Sequence, residues 1–319
     1  MAYRIEDKLV IGVASSALFE LDEADEIFRR DGLAAYRAYQ LEHQRDILKK
    51  GVAFPFVKRL LALNKVYPDI QPVDVVLLSH NDPDTGLRVF NSIQHYKLDI
   101  VRAAFTTGDS PFQYIPAYNV SLFLSANEAD VKRANAEGYA AGQVLKSTAE
   151  DEEGDDELRI AFDFDGVIAD DSAESVYKNS GIDQFYAQEK AKAAIPHSPG
   201  PLADLFSKLA KLHKLEDEMI AANPSCRRHL KTSIVTARSA PAHERMVTTL
   251  RAWNITVDQT FLLGGMDKGR ILAILKPHIF FDDQVDPHLT SASQFTPSVY
   301  IPIGGKLVDP GEKGGEKTE

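Results

Sequence analysis

Cysteine is nearly absent from the chain, and so are long apolar runs. The 319 residues include one cysteine, Cys226, so no disulfide can form within the chain and a reducing compartment is favoured. No apolar run reaches the roughly 20 residues that a membrane-spanning helix needs. The stretch "MAYRIEDKLV" (1–10) lacks the basic-then-apolar pattern of a signal peptide. A soluble, cytoplasmic protein without a membrane partner is therefore expected.

Basic residues are fewer than acidic residues, with 36 Lys and Arg against 47 Asp and Glu. The formal net charge of −11 argues against nucleic acid as a partner, because phosphate backbones are bound by clustered Lys and Arg. Residues 150–157 read "EDEEGDDE", seven acids and one glycine. Like charges repel one another, so a solvated linker is predicted here, with an acidic interaction segment as the alternative. The Gly- and charge-rich residues 304–319 are predicted to form a flexible tail.

Short apolar runs alternate with amphipathic patterns along the chain. The length suggests about two domains of roughly 150 residues each, and the acidic run divides the chain nearly in half. Val-, Ile-, Leu- and Phe-rich runs that alternate with helical patterns are typical of a parallel sheet with helices on both faces. Both halves are therefore predicted to be doubly wound α/β units. The predicted strands are "KLVIGVASSALF", "VDVVLLS" and "NVSLFLS" before the acidic run, and "LRIAFDFD", "HLKTSIVTA", "TFLLGG" and "KPHIFFDD" after it.

The two halves also resemble each other. Ser79 and Thr236 each close a predicted strand, at an offset of 157 residues. Nearer the start the offset is 149, and "VASSALFELD" aligns with "FDFDGVIADD". We interpret this as an internal duplication. The alternative is that any two doubly wound halves share such a rhythm.

Acids, a threonine and a lysine follow the predicted strands of the second half. In an open parallel sheet, ligands bind at the carboxyl ends of the strands. One carboxylate can attack phosphorus, and a second acid two residues further on returns to the same face, where it can protonate the leaving alkoxide and later activate water. Carboxylates suit Mg²⁺, while a lysine, a hydroxyl and free backbone N–H groups stabilise a transferred phosphoryl group. The residues are Asp163, Asp165, Thr236, Lys268, Asp282 and Asp283.

The aligned residues of the first half cannot perform this chemistry. Neither alanine nor proline supplies a carboxylate or an ammonium group, so this half is predicted to be catalytically inactive. The residues aligned with Asp163, Asp165 and Lys268 are Ala14, Ser16 and Pro111, respectively.

Several stretches resemble known phosphatases. "DFDGV", "VTARS", "DKGR" and "FFDDQ" resemble, in order and spacing, the four motifs of the haloacid dehalogenase-like (HAD-like) phosphatases. Roughly residues 9–303 resemble the cytosolic 5′-nucleotidase I family almost end to end. The stretches that carry this resemblance include "VASSALFELDEAD", "YQLEHQ", "AFPFVK", "FNSIQHY", "GDSPFQYI", "LFLSAN", "GPLADLF", "LRAWNI" and "PHIFFDDQ".

The resemblance implies a role for each residue of the constellation. Asp163 would be the nucleophile and Asp165 the general acid/base, while Thr236 and Lys268 would hold the phosphoryl group. Mg²⁺ would be held by the Asp163 carboxylate, the backbone carbonyl of Asp165, Asp282 and Asp283. The implied organisation is a degenerate HAD-like domain (1–145), an acidic linker (146–158) and a catalytic HAD-like domain (159–303) with a helical cap at about 172–226.

The predicted cap supplies the candidates for substrate recognition. Its pattern is mainly helical, and such an insert looks like the cap that closes over the active site in related nucleotidases. Phe185 and Tyr186 are candidates to stack on a base, and Ser172 and Glu174 to contact sugar or base edges. Alternatively, the two aromatic residues form the cap's own core. Arg238 is a candidate to contact phosphate, with pairing to surface acids as the alternative.

Together these features predict a Mg²⁺-dependent 5′-nucleotidase that hydrolyses nucleoside 5′-monophosphates, with AMP or IMP favoured, through an aspartyl-phosphate. The alternatives are a HAD-like phosphatase for a sugar phosphate or another small phosphomonoester, and a nucleotide-sensing protein with little turnover. The nine histidines show no pairing of zinc-site type and are interpreted as structural.

The first half is expected to serve one of three purposes. It binds a nucleotide effector, builds part of the active-site rim, or forms an interface of a homo-oligomer. Its "TTGDSPFQY" (106–114) is a Gly-containing turn into a helix, which suits an anion. The resemblance implies regulation by nucleoside diphosphates in animal members, so ADP or ATP is the expected effector.

Overall fold

The computed structural model describes residues 3–152 and 154–303. The predicted tail, 304–319, lies outside the described residues. The first half passes in order through β1 (Leu9–Val13), α1 (Ser15–Leu18), α2 (Asp22–Glu42), α3 (Phe54–Val66), β2 (Val73–Ser79), α4 (Pro83–His95), β3 (Arg102–Phe105), β4 (Val120–Ser125), α5 (Glu128–Ala136) and β5 (Ala141–Val144). The second half passes through β6 (Leu158–Phe162), α6 (Ser172–Ala191), α7 (Ala203–Ala222), β7 (Leu230–Thr236), α8 (His243–Ala252), β8 (Gln259–Leu262), α9 (Gly269–Leu275), β9 (Ile279–Asp282), α10 (Thr290–Ala292) and β10 (Ser298–Tyr300). Short 3-10 turns cover Ile5–Asp7, Phe112–Tyr114, Pro116–Tyr118 and Ala240–Ala242, and a π-helical turn covers Val285–Leu289.

The strands predicted from apolar runs are confirmed. β1 and β2 are buried along their whole length, as expected of inner strands of a parallel sheet. The sequence patterns missed β3, β5 and β10. Each of these is only three or four residues long, too short for a periodic pattern, so pairing with neighbouring strands decides their place.

One ten-stranded sheet joins the two halves, in the order β3-β2-β1-β4-β5-β10-β9-β6-β7-β8. Strands within each half pair in parallel, whereas β5 and β10, which meet in the middle, pair antiparallel. The expected α/β class with a mostly parallel sheet is therefore confirmed. Because the second-half strands run opposite to those of the first half, the carboxyl ends of the two sets lie at opposite edges of the sheet.

The halves share a hydrophobic core. α3 of the first half packs on β6 of the second, and α7 of the second half packs on β1 and β4 of the first. Aromatic rings line this junction: Phe56 of α3 meets Phe281 edge to face, with ring centroids 6.5 Å apart. Fully burying one such side chain contributes about 1.5–3 kcal/mol. None of the helices in the described residues is long and apolar enough to cross a membrane.

The acidic run is held more firmly than a solvated linker would be. Arg59 of α3 is buried, and its guanidinium lies 2.8 Å from the carboxylate of Asp151. The same guanidinium donates to the backbone carbonyls of Glu152, at 2.8 Å, and Asp155, at 2.9 Å. A buried arginine needs acceptors for its N–H groups, and this segment supplies them. The expectation of a purely solvated segment is therefore wrong for Asp151, whereas the side chain of Glu152 is exposed as expected.

The backbones of the halves correspond in detail. Each half has the same internal strand order, 3-2-1-4-5 in the first and 8-7-6-9-10 in the second. Long helices α2 and α6 are both kinked at a glycine with positive φ, Gly32 (φ 80°) and Gly181 (φ 81°), which are 149 residues apart. This agreement supports the duplication hypothesis, which stays a prediction. Further left-handed residues recur at an offset of 157, namely Lys97 and Asn254, Thr107 and Gly264, Gly108 and Gly265, and Asn119 and Lys276.

Candidate active site

Three neighbouring strands bring the predicted residues to one edge of the sheet. β6 lies between β7 and β9, and all three are parallel. Asp163 directly follows β6, Thr236 ends β7 and Asp282 ends β9. The N–H of Asp163 donates to the carbonyl of Phe281 at 2.8 Å, which extends the sheet pairing to the aspartate itself. The predicted meeting of these side chains at the carboxyl edge is therefore what the structure shows.

Lys268 bridges two of the carboxylates. It precedes α9, and its Nζ lies 2.7 Å from Asp163 Oδ2 and 2.7 Å from Asp282 Oδ2. Its side chain is completely buried. Burial by itself would lower the pKa of Lys268, but the two carboxylates outweigh it and raise that pKa. The ammonium therefore stays charged inside the protein, where it can stabilise negative charge.

The two bridged aspartates differ electrostatically. Burial, together with the nearby carboxylates of Asp282 and Asp165, raises the pKa of Asp163 to about 6, although Lys268 opposes the rise. Burial would also raise the pKa of Asp282, but Lys268 and the nearby His288 lower it on balance. Asp282 also accepts the N–H of Gln284 at 2.8 Å. Asp282 is thus the more firmly ionised of the pair.

Asp283 is the residue whose surroundings fit a cation. Both of its carboxylate oxygens are buried and have no hydrogen-bond partner among the described residues. Burial and the carboxylates of Asp163, Glu174 and Asp282 raise the pKa of Asp283 to about 9. Gly166, with φ +70°, makes room for it, since a Cβ at that position would lie 2.5 Å from Asp283 Oδ2. A divalent cation would supply the missing partner for these oxygens.

The donor set is that of a hard cation. Ligand atoms of Asp163, Asp282 and His288 all lie within 4.8 Å of one another, and Glu174 Oε2 is a further buried oxygen without a partner among the described residues. Carboxylate oxygens are the ligands that Mg²⁺ prefers, whereas an imidazole suits transition metals better. The carboxylate oxygens of Asp163 and Asp282, together with the buried oxygens of Asp283, therefore suit a divalent cation.

Arg238 is tied to acids, although not to surface acids. Its Nε and Nη2 donate to the two oxygens of Asp165, at 2.7 Å and 2.6 Å. Its Nη1 donates to Glu189 of α6 and to the carbonyl of Ala242. Side chains of Arg238 and Glu189 are both buried. The alternative of pairing with surface acids is therefore wrong in detail, because the partners lie inside the protein.

A cavity of about 350 Å³ opens beside these residues. In the described part of the chain, its lining comes from the second half alone, so the prediction that the first half builds part of the rim is wrong. The reason is the antiparallel junction, which sends the carboxyl ends of the first-half strands to the other edge. Lining residues are Asp163, Asp165, Glu174, Tyr177, Lys178, Ile182, Phe185, Tyr186, Thr236, Ala237, Arg238, Ser239, Gly264, Gly265, Gln284 and His288.

The predicted cap divides into two parts with different positions. α6 carries the cavity residues from Glu174 to Tyr186, whereas α7 contributes none among the described residues. The apolar face of α7 instead packs in the core, for example through Phe206, whose ring centroid lies 5.0 Å from that of Phe162. Amphipathic patterning alone does not tell a helix that covers a site from one that covers a sheet.

The structure separates the four substrate-contact candidates. Phe185 is buried with its ring against Arg238, which agrees with the core alternative. Tyr186 is held by a 2.6 Å hydrogen bond between its hydroxyl and that of Ser239. Glu174 lines the cavity, whereas Ser172 is exposed and donates its hydroxyl to Asp170.

Sequence reasoning missed several residues that lie in or behind the cavity. Tyr177 and Ile182, 49% and 46% exposed, present the freest apolar surface of α6 to the cavity. The helical period that placed Glu174 in the site could have found them, since they lie three and eight residues further on. His288, interpreted as structural, lies 3.3 Å from Asp282. Its sequence neighbourhood carries no signal for this contact.

Comparisons with known proteins agree with this geometry. Residues 1–307 match the model of a family described as 5′-nucleotidase. The chain is 35% identical over 286 residues to the human protein named cytosolic 5′-nucleotidase 1B, across 88% of this chain and 46% of that protein. The chain thus spans about half the length of this curated relative. No solved structure matches the present chain. Because the family match covers nearly the whole chain, we conclude that the chain belongs to the 5′-nucleotidase family.

Proposed function

We propose that this protein is a Mg²⁺-dependent phosphoric monoester hydrolase that converts nucleoside 5′-monophosphates into nucleosides and phosphate. One observation carries the proposal. Asp163, which lines a cavity of about 350 Å³, shares the buried Lys268 with Asp282, and the oxygens of the adjacent Asp283 have no partner among the described residues. This volume lies within the usual range of small-molecule sites. A cytoplasmic location is part of the same proposal.

The residues at the strand ends divide the reaction into two steps. In the first, an Asp163 oxygen bonds to phosphorus while the bond to the 5′-oxygen breaks, and Asp165 gives that oxygen a proton. In the second, Asp165 takes a proton from water as the water oxygen attacks phosphorus, which releases phosphate and restores Asp163. Lys268 and the Thr236 hydroxyl are the groups proposed to hold the phosphoryl oxygens throughout.

The metal would be held by Asp163, Asp282, Asp283 and the backbone carbonyl of Asp165. When bound, Mg²⁺ would offset the negative charge of the phosphoryl group and of the clustered carboxylates. The chain's own contribution is to fix these oxygens. Asp282 is fixed by Lys268 and by the N–H of Gln284, and Asp163 accepts the N–H of Phe164 at 2.7 Å.

The α6 side of the cavity is proposed to hold the nucleoside. Tyr177 and Ile182 expose an aromatic ring and an aliphatic side chain to it, which suit the faces of a base. Polar groups lie next to them, since Lys178 Nζ and Gln284 Nε2 meet at Glu174, at 2.7 Å and 2.6 Å. A purine monophosphate, AMP or IMP, is the proposed substrate.

Phosphate release from a panel of compounds tests this function. AMP, IMP, GMP, CMP, dTMP and two sugar phosphates are incubated with the protein, with and without Mg²⁺, and Asp163→Asn serves as the blank. We expect Mg²⁺-dependent release confined to nucleotides. Release mainly from the sugar phosphates would support the phosphatase mechanism but refute the proposed nucleotide substrate. No release from any compound would favour a nucleotide-sensing protein.

For the first half, we propose a nucleotide effector site, with ADP and ATP as the probes. Its strand ends lie at the edge opposite the active site, so an effector bound there would not compete with substrate for space. Isothermal titration calorimetry tests the effector site. ADP and ATP are titrated into the Asp163→Asn protein while a non-hydrolysable AMP analogue occupies the active site. Absence of binding would overturn the effector role and leave a homo-oligomer interface, which sedimentation analysis would detect.

A further inference from the structure

Every N–H of the Arg238 guanidinium is committed within the protein. Two of them donate to Asp165, as described. Nη1 donates to Glu189 and, at 3.0 Å, to the carbonyl of Ala242. The remaining N–H of Nη2 faces His197 Nε2 at 3.0 Å. Rings of Phe164 and Phe185 lie 5.2 Å and 5.5 Å from the guanidinium carbon. Reaching a substrate phosphate would require Arg238 to break contacts that it already makes.

We infer that Arg238 is a positioning residue that fixes the direction of the Asp165 carboxylate and ties it to the cap helix through Glu189. This inference rests on the proposed function, in which Asp165 transfers the proton. A fork of two parallel hydrogen bonds fixes both the place and the plane of a carboxylate, which one lysine contact cannot do.

Glu189 makes the arrangement rigid from the side of α6. Its Oε1 accepts from Arg245 Nη1 at 2.8 Å, and Arg245 Nε in turn donates to the carbonyl of Ile195 at 2.9 Å. Burial by itself would raise the pKa of Glu189, but the charge of Arg238 and the hydrogen bonds from Arg238 and Arg245 lower it to about 2. Glu189 is therefore ionised at neutral pH and bridges two arginines.

The first half supports this inference by comparison. At the aligned positions, Ser16 replaces Asp165, Asn81 replaces Arg238 and Gln40 replaces Glu189. All three charged residues are thus neutral in the half that lacks the catalytic acids. A network needed only to pack α6 against the sheet would be needed equally by α2, which has the same kink and a similar place.

Steady-state kinetics of Arg238→Lys tests the inference, because lysine keeps the charge and loses the fork. We expect kcat for AMP to fall about 10- to 100-fold, as for a misplaced proton donor, with KM within about twofold of the parent value. Hydrolysis of p-nitrophenyl phosphate, whose leaving group needs little protonation, should fall less than about threefold. Arg59→Lys is the matched control, since Arg59 is also a buried arginine paired with an aspartate, Asp151, but does not touch Asp165 or Glu189, and it should keep the parent's ratio of the two activities.

Three outcomes would overturn the inference. A rise in KM with kcat preserved would make Arg238 a phosphate ligand, and equal losses on both esters would make it a purely structural residue. The third outcome is measured with AMP alone, in Arg238→Lys, Glu189→Gln and the double variant. Because Arg238 and Glu189 act on Asp165 as one unit, we expect the losses of kcat to be non-additive. Additive losses would contradict the inference. An inactive parent protein would instead refute the proposed function. Thermal unfolding of each variant checks that it is folded.

Discussion

The two halves of this molecule have the same backbone arrangement but differ in the side chains at their strand ends. Along α2 and α6, five aligned pairs of residues keep their type. The Phe28 and Tyr36 rings meet edge to face, with centroids 5.8 Å apart, and the Tyr177 and Phe185 rings do the same at 6.3 Å. The aligned cap pairs are Asp25 and Glu174, Phe28 and Tyr177, Arg29 and Lys178, Leu33 and Ile182, and Tyr36 and Phe185.

At the strand ends the hydroxyl group of Ser79 and Thr236 is kept, but the charged residues are not. The first half has small or neutral side chains where the second half has acids and a cation. This difference indicates that the backbone arrangement does not depend on the charged residues at the strand ends. The strands, the kinked helix and its aromatic pair hold together without the carboxylates. The carboxylates in turn need Lys268 and, by our proposal, a metal ion, because like charges buried together are unfavourable. The aligned strand-end pairs are Ala14 and Asp163, Ser16 and Asp165, Ser79 and Thr236, Pro111 and Lys268, Ser125 and Asp282, and Ala126 and Asp283.

The largest expected effect is on the nucleophile. Asp163→Asn keeps the size of the side chain and removes the attacking oxygen, so kcat for AMP should fall by on the order of 10³-fold or more. Its control in the other half is Ser125→Ala, aligned with Asp282, which should leave kcat within about twofold. Phosphate release measures both. Comparable losses in the two variants would mean that the first half also takes part in the chemistry.

The next effect is on the metal. Asp283→Asn should weaken activation by Mg²⁺ by about 100-fold, because one charged ligand is lost. Thermal unfolding gives a second readout: without Mg²⁺ the variant should be no less stable than the parent, since asparagine cannot carry a negative charge next to the carboxylates of Asp163, Glu174 and Asp282. The rise in Tm that Mg²⁺ gives the parent should be absent. A less stable variant with normal Mg²⁺ activation would show that Asp283 is not a ligand.

A smaller effect, on KM, is expected at the aligned aromatic residues Tyr177 and Phe28. Tyr177→Ala should raise KM for AMP about 5- to 150-fold, because stacking of a base on an aromatic ring contributes about 1–3 kcal/mol. Phe28→Ala, at the aligned position of the first half, should leave KM unchanged. Initial rates over a range of AMP concentrations give both values. If Phe28→Ala raises KM as much, the first half also contributes to nucleoside binding.

The smallest effect concerns the helix kinks and should be the same in both halves. Gly32 and Gly181 combine φ near +80° with extended ψ, a region that other residues scarcely enter. Replacing either with alanine should lower the free energy of unfolding by about 1–3 kcal/mol, measured by urea denaturation. A Cβ would meet no atom within 4 Å at either site, so backbone strain alone accounts for the loss. Unequal losses would show that the kinks differ in their role.

Much of this arrangement could be predicted from the sequence. Apolar runs gave the long strands, and the acids that follow them gave the strand-end site, because parallel strands must bring their carboxyl ends together. The partners of those residues were less predictable. Arg238 meets Glu189 across 49 residues, and Arg59 meets Asp151 across about 90. Such pairs depend on how helices are laid over the sheet, and periodicity does not report this.

The position of α7 was unpredictable for the same reason. Its pattern is that of any amphipathic helix, and only the antiparallel meeting of β5 and β10 places it over strands of the other half. The short strand β10, three residues long, could not be recognised alone. Yet this strand decides that one sheet forms rather than two.

The crossed packing of α3 and α7 has a consequence for how the molecule folds. Each half lends a helix to cover strands of the other, so neither half can complete its hydrophobic core alone. We therefore expect the molecule to unfold in one cooperative transition, and a chain cut at the acidic run to yield fragments that fold only when mixed. The strand-end residues of one half can therefore differ from those of the other while the shared core is kept. Removing either half would expose that core.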